Sequence, residues 1–582
     1  MKYSILSIIL AGGITMGLNS CESNLTQINP NKQTTDTYWK NLNETNATLN
    51  SVYSAFRDQN IFLIPNEAWR TDEGWPGYGR PVPQKVPAYN WYIHDITNSD
   101  EYLKKKWNAI YKAIFRCNQT IEGLDKLEGS VDEEQWLSQM AQAKFFRGLF
   151  YHYLAIAFNN GSVVLVDHTA TSLDDMSHEL ASAEDVETAY MADLEYAYEN
   201  LPDNWGSDGT NQGRPSKGTA ATILGIHYLY KGDYPTAETY FDDVIHNTAY
   251  GYKLVTGDEV FKMFTNAETF NSESILEINY SSDFNSEYSI WDEHSMSNFL
   301  SDSGTPLGFF PPAWMAYEYK SEEMDTKDAR NMDADGNMHR LPLRAMQMIA
   351  LVEDNVTISY GDLTGAKLKI GGWGFAQYKK YTNHDIVTKE IKGRSGKNVV
   401  INRLADVYLM YAECLIQKGD LAEARDYMNA IRSRWGLKKI APNVTQPDEA
   451  EHDYIKDDKF DTKEGLMNQL MYTDRPLEMS AEGYEIRWQD LKRWGVLESR
   501  FKELASKTYY LHDFNATTIK GKTKKRKVSS IDIVPFLDIN GDPVKNSVVD
   551  YEYDKVYENI GIMEQYFPIP SNEVQNNPKV NI

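Results

Sequence analysis

Between Trp69 and Arg80 the chain reads Trp69-Arg70-Thr71-Asp72-Glu73-Gly74-Trp75-Pro76-Gly77-Tyr78-Gly79-Arg80, and Tyr89, Trp91 and Tyr92 follow shortly after. Aromatic rings alternate here with Gly and Pro and with groups that donate and accept hydrogen bonds. Rings on a Pro-stiffened loop lose little entropy on binding. They suit ligands that present flat C–H faces edged with hydroxyls, as sugars do. Trp75 and Trp91 are the expected stacking platforms. Core packing is the alternative for any one of these rings, because Trp is usually buried. A second group, Trp291, Trp314, Trp373 and Tyr378, lies in a later irregular stretch. Trp373 is flanked by Gly371, Gly372 and Gly374, which suits close approach of a ligand and equally a strand bulge.

Other patterns point away from chemistry. There is no Gly-x-Ser-x-Gly elbow, His-Glu-x-x-His helix or Gly-rich phosphate loop, and the 11 His residues are not paired at ligand spacing. No catalytic residue, metal ligand or cofactor is therefore expected. Asn331-Met332-Asp333-Ala334-Asp335-Gly336 begins like a calcium loop, but Pro342 stands where the bidentate Glu belongs. It reads as a solvated acidic turn, as does Asp538-Ile539-Asn540-Gly541-Asp542. The basic run Lys522–Val528 reads as a solvated surface loop. Glu478, Glu482, Arg487, Asp490 and Arg493 are expected to form an ion-pair lattice that ties helices together.

The 582 residues exceed what one hydrophobic core usually holds, so two lobes or a repeat array are expected. With 84 acidic against 59 basic residues the net charge is −25. That charge repels phosphate backbones, argues against a nucleic-acid partner and favours a neutral or cationic ligand. Lys2 and the apolar run Ile5–Leu18 have the layout of a secretory signal, assigned to residues 1–20. Leu18-Asn19-Ser20-Cys21 resembles a bacterial lipobox, which would make Cys21 a lipidated N-terminus and hold the chain to a membrane. Residues 21–50 would be the tether. Cys117 and Cys414 read as buried free thiols, with one bridge between them as the alternative.

The elements that carry these residues are mostly helical. Helix is expected from near Ala47, with core stripes at Trp107, Ile110, Tyr111, Ile114 and Phe115, and at Trp136, Met140, Phe145, Phe146, Leu149, Phe150 and Tyr153. Leu224-Gly225, Tyr228, the Gly232-Asp233 turn, Ala237 and Phe241 fit a tetratricopeptide unit. Tyr411, Ala412, Gly419-Asp420, Ala424 and Met428 repeat it, and fainter helix pairs surround Trp107–Leu127 and Ala183–Leu201. Residues 61–95 and 250–398 read as long ordered loops with short strand-like runs such as Ser274–Tyr280. The expected fold is mainly α: a tetratricopeptide-like scaffold plus an irregular, loop-rich lobe with short strands. The divisions are 51–248 and 401–582 for helical regions and 249–400 for the loop lobe.

Six motifs in order resemble the SusD/RagB family of outer-membrane nutrient-binding lipoproteins. They are Ala143–Tyr151 (AKFFRGLFY), Gly213–Gly218 (GRPSKG), Ala405–Glu413 (ADVYLMYAE), Asn429–Arg434 (NAIRSR), Asp490–Gly495 (DLKRWG) and Phe567–Pro570 (FPIP). The chain differs from the family pattern where three residues, Tyr484-Glu485-Ile486, separate Glu482-Gly483 from Arg487-Trp488 and fewer are expected, and at its last residues, Val580-Asn581-Ile582. The resemblance implies a surface lipoprotein that acts as a lid on a SusC-like TonB-dependent transporter, captures a glycan and performs no chemistry. It also implies that Asp72 and Arg80 match an acidic residue and an Arg that contact carbohydrate in the family. RagB-like members imply the rival reading, a peptide carrier; a ligand-free repeat scaffold is a third.

Overall fold

The computed structural model describes residues 38–76, 88–172, 174–206, 209–265, 269–280, 310–357, 375–380, 384–385, 397–517, 522–545, 547–549, 553–560 and 565–580. Cys21, Tyr78, Arg80, Trp291 and Trp373 fall outside them.

The main helices are α1 (Leu42–Phe56), α2 (Ile64–Trp69), α3 (Glu101–Asp125), α4 (Glu133–Ala157), α5 (Ala183–Asn200), α6 (Lys217–Lys231), α7 (Tyr234–His246), α8 (Leu404–Lys418), α9 (Leu421–Arg434), α10 (Arg475–Met479), α11 (Ile486–Arg493) and α12 (Leu497–Ser506). Side-chain caps set where several begin. Asn41 accepts from the amides of Asn43 and Glu44, Asp100 from Tyr102 and Leu103, Asp132 from Gln135, and Ser216 forms a capping box with Thr219. The first helix thus starts at Leu42, earlier than its apolar pattern suggests.

In space α1 packs on α3, α3 on α4, α4 on α5, α5 on α6, α6 on α7, α7 on α8 and α8 on α9. Residues 247–403 leave the array after α7 and return at α8, so the two repeat copies read from sequence are neighbours. Each copy turns the same way. Gly232 (φ 77°) and Gly419 (φ 100°) occupy the left-handed cap, and the amides of Asp233 and Asp420 close on Tyr228 and Leu415 at 2.9 Å. Gly225 is small because a Cβ there would stand 2.5 Å from the Phe241 ring.

Nearly all of the expected core stripe is buried, with three differences. Tyr111 is half-buried, its hydroxyl donating to the Val164 carbonyl at 2.7 Å. Phe115 is 43% exposed at the helix surface, and Trp136 is half-buried, its indole donating to the Leu124 carbonyl at 2.8 Å. Cys117 and Cys414 are buried free thiols whose pKa burial pushes up.

Four small sheets lie outside the array: β1 (Ser274–Ile278) antiparallel to β4 (Val399–Arg403), β2 (Ile349–Leu351) antiparallel to β3 (Ala376–Tyr378), β5 (Lys439–Ala441) parallel to β6 (Tyr454–Lys456), and β7 (Tyr509–Thr517) between β8 (Thr523–Asp532) and β9 (Val548–Val549). The stretch expected to be loop from Ile61 holds helix instead, α2 included. The basic run is not a loop either: it forms β8, an edge strand whose exposed lysines guard against further strand pairing. Asp333 and Asp538 do shape acidic turns, accepting from the amides of Asp335 and Asn337 and of Asn540 and Asp542. One hydrophobic cluster runs through helices and loops alike.

Gly225→Val should therefore destabilise the chain by ~1–3 kcal/mol through overpacking against Phe241. Gly232→Ala, where no atom lies within 4 Å, should cost about 1 kcal/mol through backbone strain alone. Urea unfolding of the two variants checks the order.

Candidate ligand-binding site

The aromatic segment after α2 faces inward. Trp75 is fully buried, exchanges backbone hydrogen bonds with Phe310 (2.7 and 2.8 Å) and meets Tyr92 edge-on at 5.3 Å. Trp91 is fully buried 5.3 Å from Phe567, so the terminal Phe-Pro-Ile-Pro motif is its partner. Trp314 donates from Nε1 to the Asp72 carbonyl at 2.5 Å, and the Tyr378 hydroxyl donates to the Glu73 carbonyl at 2.9 Å. These two are also buried. None of the four rings has a face for a ligand, which corrects the platform role read from sequence. The apolar area of each is taken up by core partners.

Asp72 is likewise an internal group. Its carboxylate accepts from Arg487 Nε and Nη2 (2.7 and 2.8 Å) and from Arg500 Nε (2.7 Å) with no solvent exposure. Burial alone would raise its pKa, but the two guanidinium groups outweigh burial and hold it well below the usual carboxylate range. It is thus unavailable to a ligand.

Asp72 belongs to a lattice larger than the five residues expected. Glu478, with Glu273, Arg344, Arg403 and Arg434, forms one centre, and Glu482 adds Arg403 (2.7 Å) and Lys380 (2.5 Å). Arg475 joins Asp406 (2.6 Å) to Asp490 (2.5 Å), and Arg493 joins Asp490 (2.8 Å) to Glu413 (2.6 Å). Arg70 and Lys106 share Glu67 and Glu485 at 2.6–2.9 Å. Glu485 lies between Gly483 and Arg487 and sits at φ 54° as α11 begins. Glu478 is held low like Asp72, against the effect of burial, by Arg434, Arg403 and Arg344. Glu73 differs: burial dominates and pushes it up to about 8, although it accepts from the Ala481 amide at 3.0 Å.

An open site lies elsewhere. A cleft of about 370 Å³ opens between the C-terminal half of α1, the turn before α6 and the end of β1, and Asn50, Tyr53, Arg57, Arg214, Glu277 and Asn279 line it. Its volume is within the ~300–1,000 Å³ usual for ligand sites. Gly213 makes the turn possible: it has φ 84°, and a Cβ would strike the Phe270 ring at 2.9 Å. Arg214 then projects between Tyr53 and Trp205, 5.7 Å from each ring centre. Its Nη1 donates to Gln142 Oε1 at 2.7 Å, and the Tyr53 hydroxyl donates to the same oxygen at 2.6 Å. On the far wall the Glu277 carboxylate accepts from Asn398 Nδ2 (2.9 Å) and the Phe270 amide (3.2 Å).

The cleft thus offers a half-buried ring, two guanidinium groups and several amides to one ligand. Sequence reading caught only Arg214, as part of a turn; Tyr53 carried no motif. A second cleft of about 640 Å³ lies beside α9, but Lys439 closes on Asp448 at 2.6 Å and Arg425 on Asp461 at 3.2 Å.

The described residues thus form a helical-repeat array bearing ordered loops, an ion-paired interior and a polar, aromatic-edged cleft. The SusD family model matches residues 272–581, and a model described as "starch-binding associating with outer membrane" matches residues 81–229. A SusD-like protein of Bacteroides ovatus is 25% identical over 362 residues, which cover 59% of this chain and 61% of that relative. Among solved structures, a SusD superfamily protein from Bacteroides vulgatus aligns with TM-score 0.67 at 21% identity, covering 94% of this chain and 99% of that one. A laminarin-binding SusD-like protein aligns with TM-score 0.61 at 21% identity over 93% and 99%. The chain belongs to the SusD family.

Asp72→Ala should destabilise the chain by ~3–5 kcal/mol, because Arg487 and Arg500 remain buried without their shared carboxylate; urea unfolding measures it. The pH dependence has two arms. Asp72 and Glu478 titrate lower folded than unfolded, so the stability they lend is present at neutral pH and lost as pH falls below about 4. Glu73 titrates higher folded, so its contribution is full below its ordinary value of 4.5 and lost as pH rises through about 8. Glu73→Gln should make the decline in unfolding free energy between pH 5 and 8 shallower, as read from urea midpoints across that range.

Proposed function

We propose that this protein captures a glycan at the cell surface and delivers it to a SusC-like TonB-dependent outer-membrane transporter. Membership of the SusD family, combined with a cleft whose lining brings a ring, a guanidinium group held by no carboxylate among the described residues, and amides together, carries this reading. The lipobox-like Leu18–Cys21 supports export and a lipid anchor at Cys21 in the outer membrane. The name of the family model that matches residues 81–229 supports the same location. No described helix is long and apolar enough to cross a membrane. Capture would combine sugar packing at Tyr53 with hydrogen bonds from Arg57, Arg214 and the cleft amides. Tyr78, Arg80, Trp291 and Trp373 are proposed as further contacts.

The test is retardation of the chain from Glu22 onward, which keeps the whole described fold, in native gels cast with plant, host and microbial polysaccharides. Retardation by at least one of them is expected. Binding to oligopeptides with no retardation by any polysaccharide would replace this reading with peptide uptake.

A further inference from the structure

We infer that the cleft beside Arg214 takes the acidic group of a charged glycan, a uronate carboxylate or a sulfate ester; this rests on the glycan-capture reading and narrows it. Net charge alone favours the opposite, since the chain carries −25. At contact distance, however, local groups decide, because charges more than ~8–10 Å away are largely screened at physiological salt.

The local balance differs from that of the buried lattice. Arg70, Arg344, Arg403, Arg432, Arg434, Arg475, Arg487, Arg493 and Arg500 each close on at least one carboxylate. Arg214 closes on an amide instead. Gln142 accepts from one of its nitrogens, and among the described residues no carboxylate pairs with it. The Tyr53 hydroxyl is its other polar neighbour, so its fork meets no opposite charge among the described residues. Tyr53 and Trp205 flank the guanidinium and restrict its rotation, so little order remains to be imposed on binding. Half-exposed, it keeps access to the cleft. A planar fork of this kind matches a carboxylate or sulfate through two parallel charge-assisted hydrogen bonds.

The carboxyl group in the cleft does not cancel this. Glu277 is buried, and its carboxylate already accepts from Asn398 and the Phe270 amide. Arg57 adds a second guanidinium to the lining.

The experiment uses the chain from Glu22 with three probes in native gels and calorimetry: polygalacturonate for carboxylate, a sulfated galactan for sulfate, and laminarin as a neutral control. Retardation by one of the two acidic polymers is expected, weakened at least tenfold in Arg214→Gln and partly kept in Arg214→Lys. Gln142→Glu is the decisive variant. It supplies Arg214 with a carboxylate across the present 2.7 Å contact and gives up the Nε2 donation to the Ser138 carbonyl at 2.9 Å, so urea unfolding first checks that it is folded, and the folded variant should lose acidic-polymer binding. If Arg214→Gln fails to fold, Gln142→Glu alone decides. Acidic-polymer binding unchanged in Gln142→Glu overturns the assignment to this cleft. Binding to laminarin alone, indifferent to these variants, overturns the acidic-ligand inference while glycan capture stands. No binding to any polysaccharide overturns both.

Discussion

Charge taken out of water has to be paired, and this constraint organises the interior of the protein. Removing an ion from solvent costs several kcal/mol even after relaxation, and the attraction to its partner roughly offsets that cost only when the geometry is good. The lattice around Asp72, Glu478, Glu482 and Asp490 therefore contributes little net stability compared with an apolar core. Its effect is to reject other arrangements. Asp72 and Arg487 are 415 residues apart in sequence, and Arg434 reaches Glu273 across 161. Any arrangement that separates either pair leaves a buried ion alone. Strain is tolerated on the same account: Ala481 (φ 59°) and Glu485 (φ 54°) adopt backbone conformations that disfavour side chains, and each is fixed where the chain meets this lattice.

A binding surface follows from where the pairing stops. Inside the lattice, each guanidinium is neutralised and inaccessible. At the cleft beside α1, Arg214 has its position set by aromatic rings and an amide, so its charge is available for a ligand. The helices supply the rigid wall, with Tyr53 on α1 and Gln142 on α4, and the Gly213 turn brings Arg214 onto it. The glycan-capture reading sets the class of ligand proposed, and these local contacts argue which members of that class fit.

The helical array was legible because its determinants are close in sequence. Gly225 and Phe241, or Gly419 and Asp420, encode their crossing and turn within one unit, and the copies confirm each other. The ion-pair lattice was legible in part: Glu478, Arg487 and Arg493 stood out as a charged cluster, but Asp72, Arg403 and Glu413 are joined to it only by folding. The segment from Trp69 to Trp91 was misread for the same reason. Its alternation of rings with Gly and Pro suits an exposed loop as well as a buried one, and what decides is Phe310, Phe567 and Arg487, all hundreds of residues away. Tyr53 and Arg214 likewise meet over Gln142 only in three dimensions.

Hydrogen exchange of the protein, free and with an oligosaccharide of any polysaccharide that retards it, tests the account most directly. The cleft reading predicts slowed exchange at residues 50–57, 209–217 and 277–280, and unchanged exchange at residues 69–76, which the lattice already shields. Full occupancy with no protection at 50–57 and 209–217 would contradict it and place the ligand elsewhere.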